Sequence, residues 1–516
     1  MKTKRVLSLI LSMLMLLGLL AGCGESGNSE SGSDSAASFS IGYGQVDISP
    51  SGSVPLTGFG DTDERSSTHV SERLYATAIA MRDAEGDTVV VVAYDLINAK
   101  ENWSTPLREE LAKQTGLPMS NIMLHCSHTH SGPAIATMPT YQAEVKIKTI
   151  EAVKAAIADI SPATVSGNYT RVEEKLNCVR HYLMNDGTYM AEGVGAYKSN
   201  VIGHTDMPDN LLQAIRFTRE GKKDIVMMNW QAHYLGSKLD YNAVTSDYQG
   251  VARTTVEQAL DCHSIFITGA SGNLNSWSQL DGEMEFEYHT DLGKFLGEKV
   301  IELNNNLKPL NADNLQIKEV MRSTPTKANP NTKEDIPLYA LSFGDVGMFF
   351  APYEMFDSSA VDVRERSPFT MTFCASCSNA ARSYIPTPQS WDWDAQYEVR
   401  VTRYEKGTAE KLADEFVNML TELSNNSGHT PAAKGEGYLT PEFVPTTDGV
   451  TYFNPTPGDL ASLEAVNNGF YRLYLLKGNT LKTMLAKDQA TAEAVMQKES
   501  MQLLFDEQYV IVGVVE

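Results

Sequence analysis

The stretch Ser127-His128-Thr129-His130-Ser131-Gly132-Pro133 holds two of the chain's ten histidines two positions apart, just beyond the apolar run Ile122-Met123-Leu124. Such a run reads as a buried strand. On an extended segment residues i and i+2 share a face, so the spacing predicts that both imidazoles enter one pocket. Gly132-Pro133 then turns the chain away where a ligand would approach the backbone. A histidine pair at a strand exit suits metal binding or proton transfer, but two ligands do not complete a metal site. His233, in Asn229-Trp230-Gln231-Ala232-His233-Tyr234, and Glu354, in Pro352-Tyr353-Glu354, are the residues that would complete it. Taken singly, His233 reads equally as a core histidine and Glu354 as a carboxylate favoured at a helix N-terminus. If they converge with His128, two imidazoles and one carboxylate make a set suited to a catalytic zinc with one position open for water. Zinc lowers the pKa of its water and polarises a carbonyl, which is the chemistry of amide or ester hydrolysis.

These residues all follow strands. Three stretches share one pattern, in which a hairpin is followed by a helix and another short strand. The first hairpin spans 74–81 and 88–94, with Asp95 at its end; the second spans 212–218 and 224–230, with His233 just beyond; the third spans 337–343 and 347–351, with Glu354 close after. Helices are expected at 106–115, 249–260 and 356–366, the first opened by Pro106. The closing strands deliver His128 and His130, then Gly269-Ala270-Ser271-Gly272-Asn273, then Asn379 through Tyr384. Further helices at 140–159, 290–306 and 408–425 show apolar positions three and four apart and belong to outer layers. The expected fold is α/β: stacked β-sheets flanked by helices, with functional residues gathered at strand ends.

A chain of 516 residues with 42% hydrophobic content can bury an ample core, and a net charge of −23 argues against nucleic acid as a partner. Lys2, Lys4 and Arg5 precede a largely apolar run at 6–20 that ends in Leu20-Ala21-Gly22-Cys23, which resembles a bacterial lipoprotein signal. The expected organisation is a leader at 1–22, a Gly- and Ser-rich tether at 23–38 that starts at lipidated Cys23, a catalytic domain at 39–426, and a small α+β appendage at 427–516. The appendage is read from strands at 471–476 and 509–515 and a helical stretch around 488–498. On this reading the protein is exported and held at the membrane by its N-terminal lipid. Setting Cys23 aside, Cys126, Cys178, Cys262, Cys374 and Cys377 are odd in number and scattered, which is not a disulfide framework.

The order of signatures resembles the catalytic domain of neutral, non-lysosomal ceramidases. The similarity starts at Gly42-Tyr43-Gly44-Gln45-Val46-Asp47-Ile48-Ser49-Pro50 and continues through Leu74-Tyr75-Ala76-Thr77-Ala78 with Asp95. It is most specific at His128-Thr129-His130-Ser131-Gly132-Pro133, then includes His233, Ser246-Asp247-Tyr248-Gln249-Gly250, Gly269 to Asn273, Glu354, and Asn379 through Tyr384-Ile385-Pro386-Thr387. The resemblance implies one zinc per chain held by His128, His233, Glu354 and Tyr384. It implies His130 as donor to the developing oxyanion or to the leaving amine, Arg180 near the substrate, and Asp95 among the catalytic residues. The implied substrate is ceramide or a related lipid amide. Two stretches depart from the family pattern: Gly272-Asn273-Leu274-Asn275-Ser276 carries an amide where an acid is usual, and Ala380-Ala381-Arg382-Ser383 places a guanidinium where an apolar wall is expected. Competing readings are a hydrolase of another amide or ester on the same site, and a lipid-tethered solute-binding protein that needs no metal.

Overall fold

The structure, a computed structural model, describes residues 39–59, 65–184, 189–191, 194–234, 240–280, 282–392, 397–435 and 437–439, and the backbone of strands Tyr452–Phe453, Tyr471–Lys477, Thr480–Ala486, Gln502–Asp506 and Tyr509–Gly513. The expected leader, the tether and the helical stretch around 488–498 lie outside the described residues.

In chain order the body begins with β1 (Phe39–Asp47), β2 (Tyr75–Asp83), β3 (Thr88–Tyr94), α1 (Glu101–Thr115), β4 (Ile122–Cys126), α2 (Pro139–Ala158) and β5 (Ser161–Arg171). It continues with β6 (Leu211–Arg219), β7 (Ile225–Trp230), α3 (Asp247–Leu260), β8 (His263–Thr268) and α4 (His289–Asn304). It closes with β9 (Gln316–Pro325), β10 (Lys333–Phe343), β11 (Val346–Phe350), α5 (Asp357–Arg366), β12 (Met371–Ala375) and α6 (Thr408–Ser427).

The hairpin, helix and strand units form as the pattern predicts. Strands β2 and β3 pair antiparallel, and β4 returns parallel to β3 after α1. The same relation holds for β6, β7 and β8 around α3, and for β10, β11 and β12 around α5. A helix between two strands carries the chain back to the start of the sheet, so the closing strand runs parallel to the one before it. The first helix begins at Glu101, five residues before its expected start. Pro106 lies inside it; the loss of one main-chain donor in this early part of the helix leaves the rest of the ladder standing.

The large sheet runs in the order β8-β7-β6-β5-β1-β2-β3-β4, and the smaller in the order β9-β10-β11-β12. One core cluster joins Ile41, Ile79, Val91, Ile215 and Phe217 of the large sheet to Phe343, Met348 and Phe373 of the small one, so the two sheets face each other. Helices cover the outer faces: α1 and α2 on the β1–β4 half, α3 and α4 on the β6–β8 half, α5 and α6 on the small sheet. The Val-rich β3 is therefore buried on both faces, with Val89 and Val91 turned to the sheet-sheet core and Val90, Val92 and Tyr94 to the helices.

Strands β4 and β8 stand at opposite ends of the large sheet's order, yet their C-terminal ends meet. The Thr268 amide donates to His125 Nε2 at 2.9 Å, and the Thr268 hydroxyl to the Ser127 carbonyl at 3.3 Å. The end of β12 joins them: the Ser376 amide donates to the Thr268 carbonyl, and Ser378 Oγ lies 3.2 Å from His125 Nδ1. His125 thus ties the three closing strands together, and burial pushes its pKa down to about 3. Sequence reading passed it over because a histidine inside an apolar strand gives no sign of long-range partners.

The C-terminal strands Tyr471–Lys477 and Tyr509–Gly513 match two expected strands, with Thr480–Ala486 and Gln502–Asp506 beside them. They continue a sheet with Tyr182–Met184 and Val201–His204 of the body. Core packing also passes position 426, since Tyr438 is buried between the sheets and its hydroxyl donates to Gln213 Oε1 at 2.8 Å. No helix among the described residues is long and apolar enough to cross a membrane.

Candidate active site

The histidine pair is brought to one pocket, but not along a strand face. Strand β4 ends at Cys126, and His128 takes a left-handed backbone conformation with φ 65°. A β-carbon is strained there, and such residues persist only where their surroundings hold them. Here the His128 amide donates to the Leu96 carbonyl, and its Nδ1–H donates to the Ile97 carbonyl at 2.8 Å. The turn, rather than alternation along a strand, sets the rings of His128 and His130 4.8 Å apart, edge to face.

His233 follows β7 in a segment bridged to Asn275. Its Nδ1–H faces the carbonyls of Ser271 at 2.6 Å and Leu274 at 3.0 Å. Glu354 and Tyr384 sit side by side on a two-stranded parallel ladder, Glu354 opposite Tyr384 and Met355 opposite Ile385. That ladder is packed against Gly272, where a β-carbon would come within 2.7 Å of the Glu354 carbonyl oxygen and 2.8 Å of that of Met355. Glycine at 272 is therefore what lets the carboxylate strand approach the loop that holds His233.

The four expected metal ligands converge. Glu354 Oε2 is 3.2 Å from both His128 Nε2 and His233 Nε2, and the Tyr384 hydroxyl is 3.4 Å from His233 Nε2. In each of these histidines a main-chain oxygen takes the Nδ1 proton, which turns the Nε2 lone pair towards the carboxylate. A lone pair facing a carboxylate is repulsive unless a proton or a metal cation lies between them. His128 Nε2 is buried with no hydrogen bond, as are both ring nitrogens of His130. The donor set therefore fits a zinc ion on this protein's own geometry. Ring nitrogens of His128, His130 and His233 all lie within 4.8 Å of one another, so His130 is within reach of the same ion. What distinguishes His130 is its support: its ring stacks on Tyr234 at 4.0 Å and meets Phe59 edge-on at 5.4 Å. Gly58, at φ 126°, leaves room for that ring, since a β-carbon there would lie 2.4 Å from His130 Cγ. Burial first, and then the neighbouring imidazoles of His128 and His233, hold His130 well below the usual imidazole range. Burial and then Glu354 push the Tyr384 phenol up.

Arg180 lies at this pocket, its guanidinium 5.4 Å from the Tyr384 ring centre. It is ion-paired with Glu398 of the short helix Tyr397–Val401, a fully buried carboxylate that also bonds His181 Nε2 at 2.9 Å. Sequence reading missed Glu398 and Phe59, which lie in no chemical motif, and gave no role to Tyr234, the neighbour of His233. Asp95 is placed differently from its expected catalytic role. Its Oδ2 accepts from Arg253 at 2.6 Å and from the Tyr75 amide at 2.8 Å, and among the described contacts it touches none of the imidazoles. A carboxylate committed to a buried arginine of α3 is a strut between the first two units, which its position after β3 could not show.

The two departures from the family pattern also have partners. Asn273 donates from Nδ2 to Asp357 Oδ1 at 2.7 Å and accepts the Asp357 amide at 2.9 Å, clamping the start of α5. Arg382 turns to Glu101 at 2.9 Å, at the start of α1. Its charge is thus balanced by a neighbouring helix. Cys126, Cys178, Cys262, Cys374 and Cys377 are buried free thiols, and Cys377 Sγ lies 3.5 Å from His128 Nδ1.

Residues 39–273 match the family model for neutral/alkaline non-lysosomal ceramidase, N-terminal. No curated protein matches the chain. Among solved structures, the neutral ceramidase from Pseudomonas aeruginosa is similar at 15% identity and a TM-score of 0.61, over 87% of this chain and 84% of that one. A ceramidase complexed with C2 is similar at 14% identity and a TM-score of 0.61, over 77% of each chain. At such identities the likeness establishes the α/β fold. The resemblance read from the sequence holds: residues 39–273 are similar to the N-terminal region of the neutral/alkaline non-lysosomal ceramidase family.

Proposed function

We propose that this protein is a zinc-dependent amidohydrolase that cleaves the N-acyl amide of ceramide or a related lipid amide with water, exported and held at the membrane by lipidated Cys23. The observation that carries the reading is the pair of Nε2 atoms, each 3.2 Å from one carboxylate oxygen of Glu354, with their Nδ1 protons taken by main-chain carbonyls. His128, His233, Glu354 and Tyr384 are the residues that would hold the ion. When bound, zinc supplies a Lewis acid for the carbonyl and a water of lowered pKa. The protein's own residues do the remainder. His130, with neither ring nitrogen committed, moves a proton to the leaving amine nitrogen or donates to the developing oxyanion. Arg180, neutralised by Glu398, fixes the Tyr384 ring from one side, and the pairing of Tyr384 with Glu354 fixes its main chain. The aromatic surround of Phe59 and Tyr234 keeps the imidazole dry.

The test is metal analysis of the purified protein together with hydrolysis of a short-chain fluorescent ceramide before and after chelation. Stoichiometric zinc and a chelation-sensitive release of amine are expected. A metal-free protein that binds a small ligand tightly and hydrolyses nothing would favour a solute-binding role instead.

A further inference from the structure

Two buried guanidinium groups flank the imidazole cluster, and among the described residues they differ in charge balance. Arg180 is matched by Glu398. Arg65, only 4% exposed, has no carboxylate partner among the described residues. Its N–H groups donate to three main-chain oxygens, those of Thr57 at 2.9 Å, Tyr241 at 3.1 Å, and His130. Its Nε is buried with no hydrogen-bond partner. The rings of Phe59 and Tyr241 lie 4.6 and 4.8 Å from its central carbon. Carbonyl oxygens and ring faces solvate a cation without cancelling its charge. The charge also lies close to the chemistry. Arg65 bonds the carbonyl of His130 itself, and Phe59, which packs on the guanidinium, also packs on the rings of His130 and, at 5.0 Å, Tyr234.

Inside a protein a charge is weakly screened, so an unbalanced cation favours an anion in the adjoining space. An acyl chain has no use for such a charge, and the scissile carbonyl belongs to the metal side of the pocket. The amine half of the substrate remains. Building on the amide-hydrolase reading, we propose that Arg65 makes this site select N-acyl amides whose amine half carries a carboxylate within a few bonds of the scissile nitrogen, the chemistry of N-acyl amino acids, over amides with a neutral amine half.

N-lauroylglycine and N-lauroylethanolamine share an acyl chain and differ in whether the amine half ends in a carboxylate or a hydroxyl. With the zinc-loaded full chain, kcat/KM is expected to be on the order of tenfold or more higher for the glycine conjugate, the scale of one charge-assisted contact. R65Q should bring the ratio towards one, mostly through KM for the anionic amide, whereas R65K, which keeps the charge, should retain most of the preference. A wild-type ratio at or below one overturns the proposal, and this measurement stands even if R65Q fails to fold. An R65Q variant that loses the same fraction of activity on both amides also overturns it, since that is the mark of a structural pin. Cleavage of a neutral ceramide with neither lauroyl amide cleaved would remove this inference and leave the hydrolase reading intact. If no amide of any kind is cleaved, the hydrolase reading fails, and calorimetric binding of the two lauroyl amides then decides the charge preference by itself.

Discussion

At the scale of single residues, the site depends on where protons sit on three imidazoles. His128 and His233 each have Nδ1 committed to the main chain, whereas His130 has no committed nitrogen and rests on aromatic rings. H128A and H233A should therefore lose zinc and activity together, while H130A should keep zinc and lose on the order of 10²–10⁴ in turnover. Metal analysis beside steady-state kinetics checks this. Zinc lost from H130A and kept by H128A would exchange the two roles. Glu398 supports the same pocket from behind. Burial acts to raise its pKa, but Arg180 and His181 outweigh that and hold it far below the ordinary carboxylate range. A depressed carboxylate contributes stability above its unfolded pKa and loses it as pH falls through the folded one. Removing the charge leaves Arg180 buried and unpaired, so E398Q should cost about 3–5 kcal/mol at neutral pH. The loss, read from denaturant melts, should narrow in strong acid; a variant as stable as wild type at pH 7 would show that the pair contributes nothing.

Between elements, the contacts that align the site run from one unit's closing strand to the next unit's helix. Asn273, after β8, clamps Asp357 at the first turn of α5. Burial, and then the charge of Asp206, push the Asp357 carboxyl up to about 7. A carboxyl raised in the folded state is more protonated there than in the unfolded chain, so its contribution falls as pH rises from the ordinary carboxylate range through about 7. An acid at 273 would add a like charge and remove a donor. N273D should therefore cost about 1–3 kcal/mol at pH 8 and distinctly less at pH 5, where Asp357 is neutral. Equal losses at the two pH values would mean that charge plays no part. Gly272 acts on the neighbouring ladder. In G272A the new methyl group meets the carbonyls of Glu354 and Met355, so the carboxylate must move. Zinc affinity is expected to fall about 10- to 100-fold, the usual cost of disturbing a ligand's support, with the fold retained by circular dichroism. Wild-type affinity in G272A would show that the loop yields freely.

For the whole molecule, the coiling of the large sheet decides where the chemistry lies. Because the ends of β4 and β8 meet through His125 and are joined by β12, three loops far apart in sequence share one pocket. The proposed anchor, Cys23, stands apart in sequence from the site residues, which all follow position 57. C23S should move the protein from the membrane fraction to the soluble one while leaving kcat and KM on a short-chain substrate unchanged. Retention in the membrane after C23S would show that something other than an N-terminal lipid holds the protein there.

By itself the sequence determined the local units and their order. Alternating and Val-rich runs, turn residues and helical spacing are short-range signals, and all three hairpin, helix and strand units stand where those signals place them. The motif order also pointed to His128, His233, Glu354 and Tyr384, and these are the side chains that meet. The manner of their meeting was decided only in three dimensions. The left-handed turn at His128 is imposed by main-chain partners on other segments, and strand periodicity could not announce it. Asp95 reads like a site residue because it ends a strand, but Arg253, more than a hundred positions away, takes its charge. Glu398 and Arg65 lie in no motif, since the value of a buried charge depends on whether folding brings an opposite charge beside it. For Arg180 it does, and for Arg65 it brings no carboxylate among the described residues.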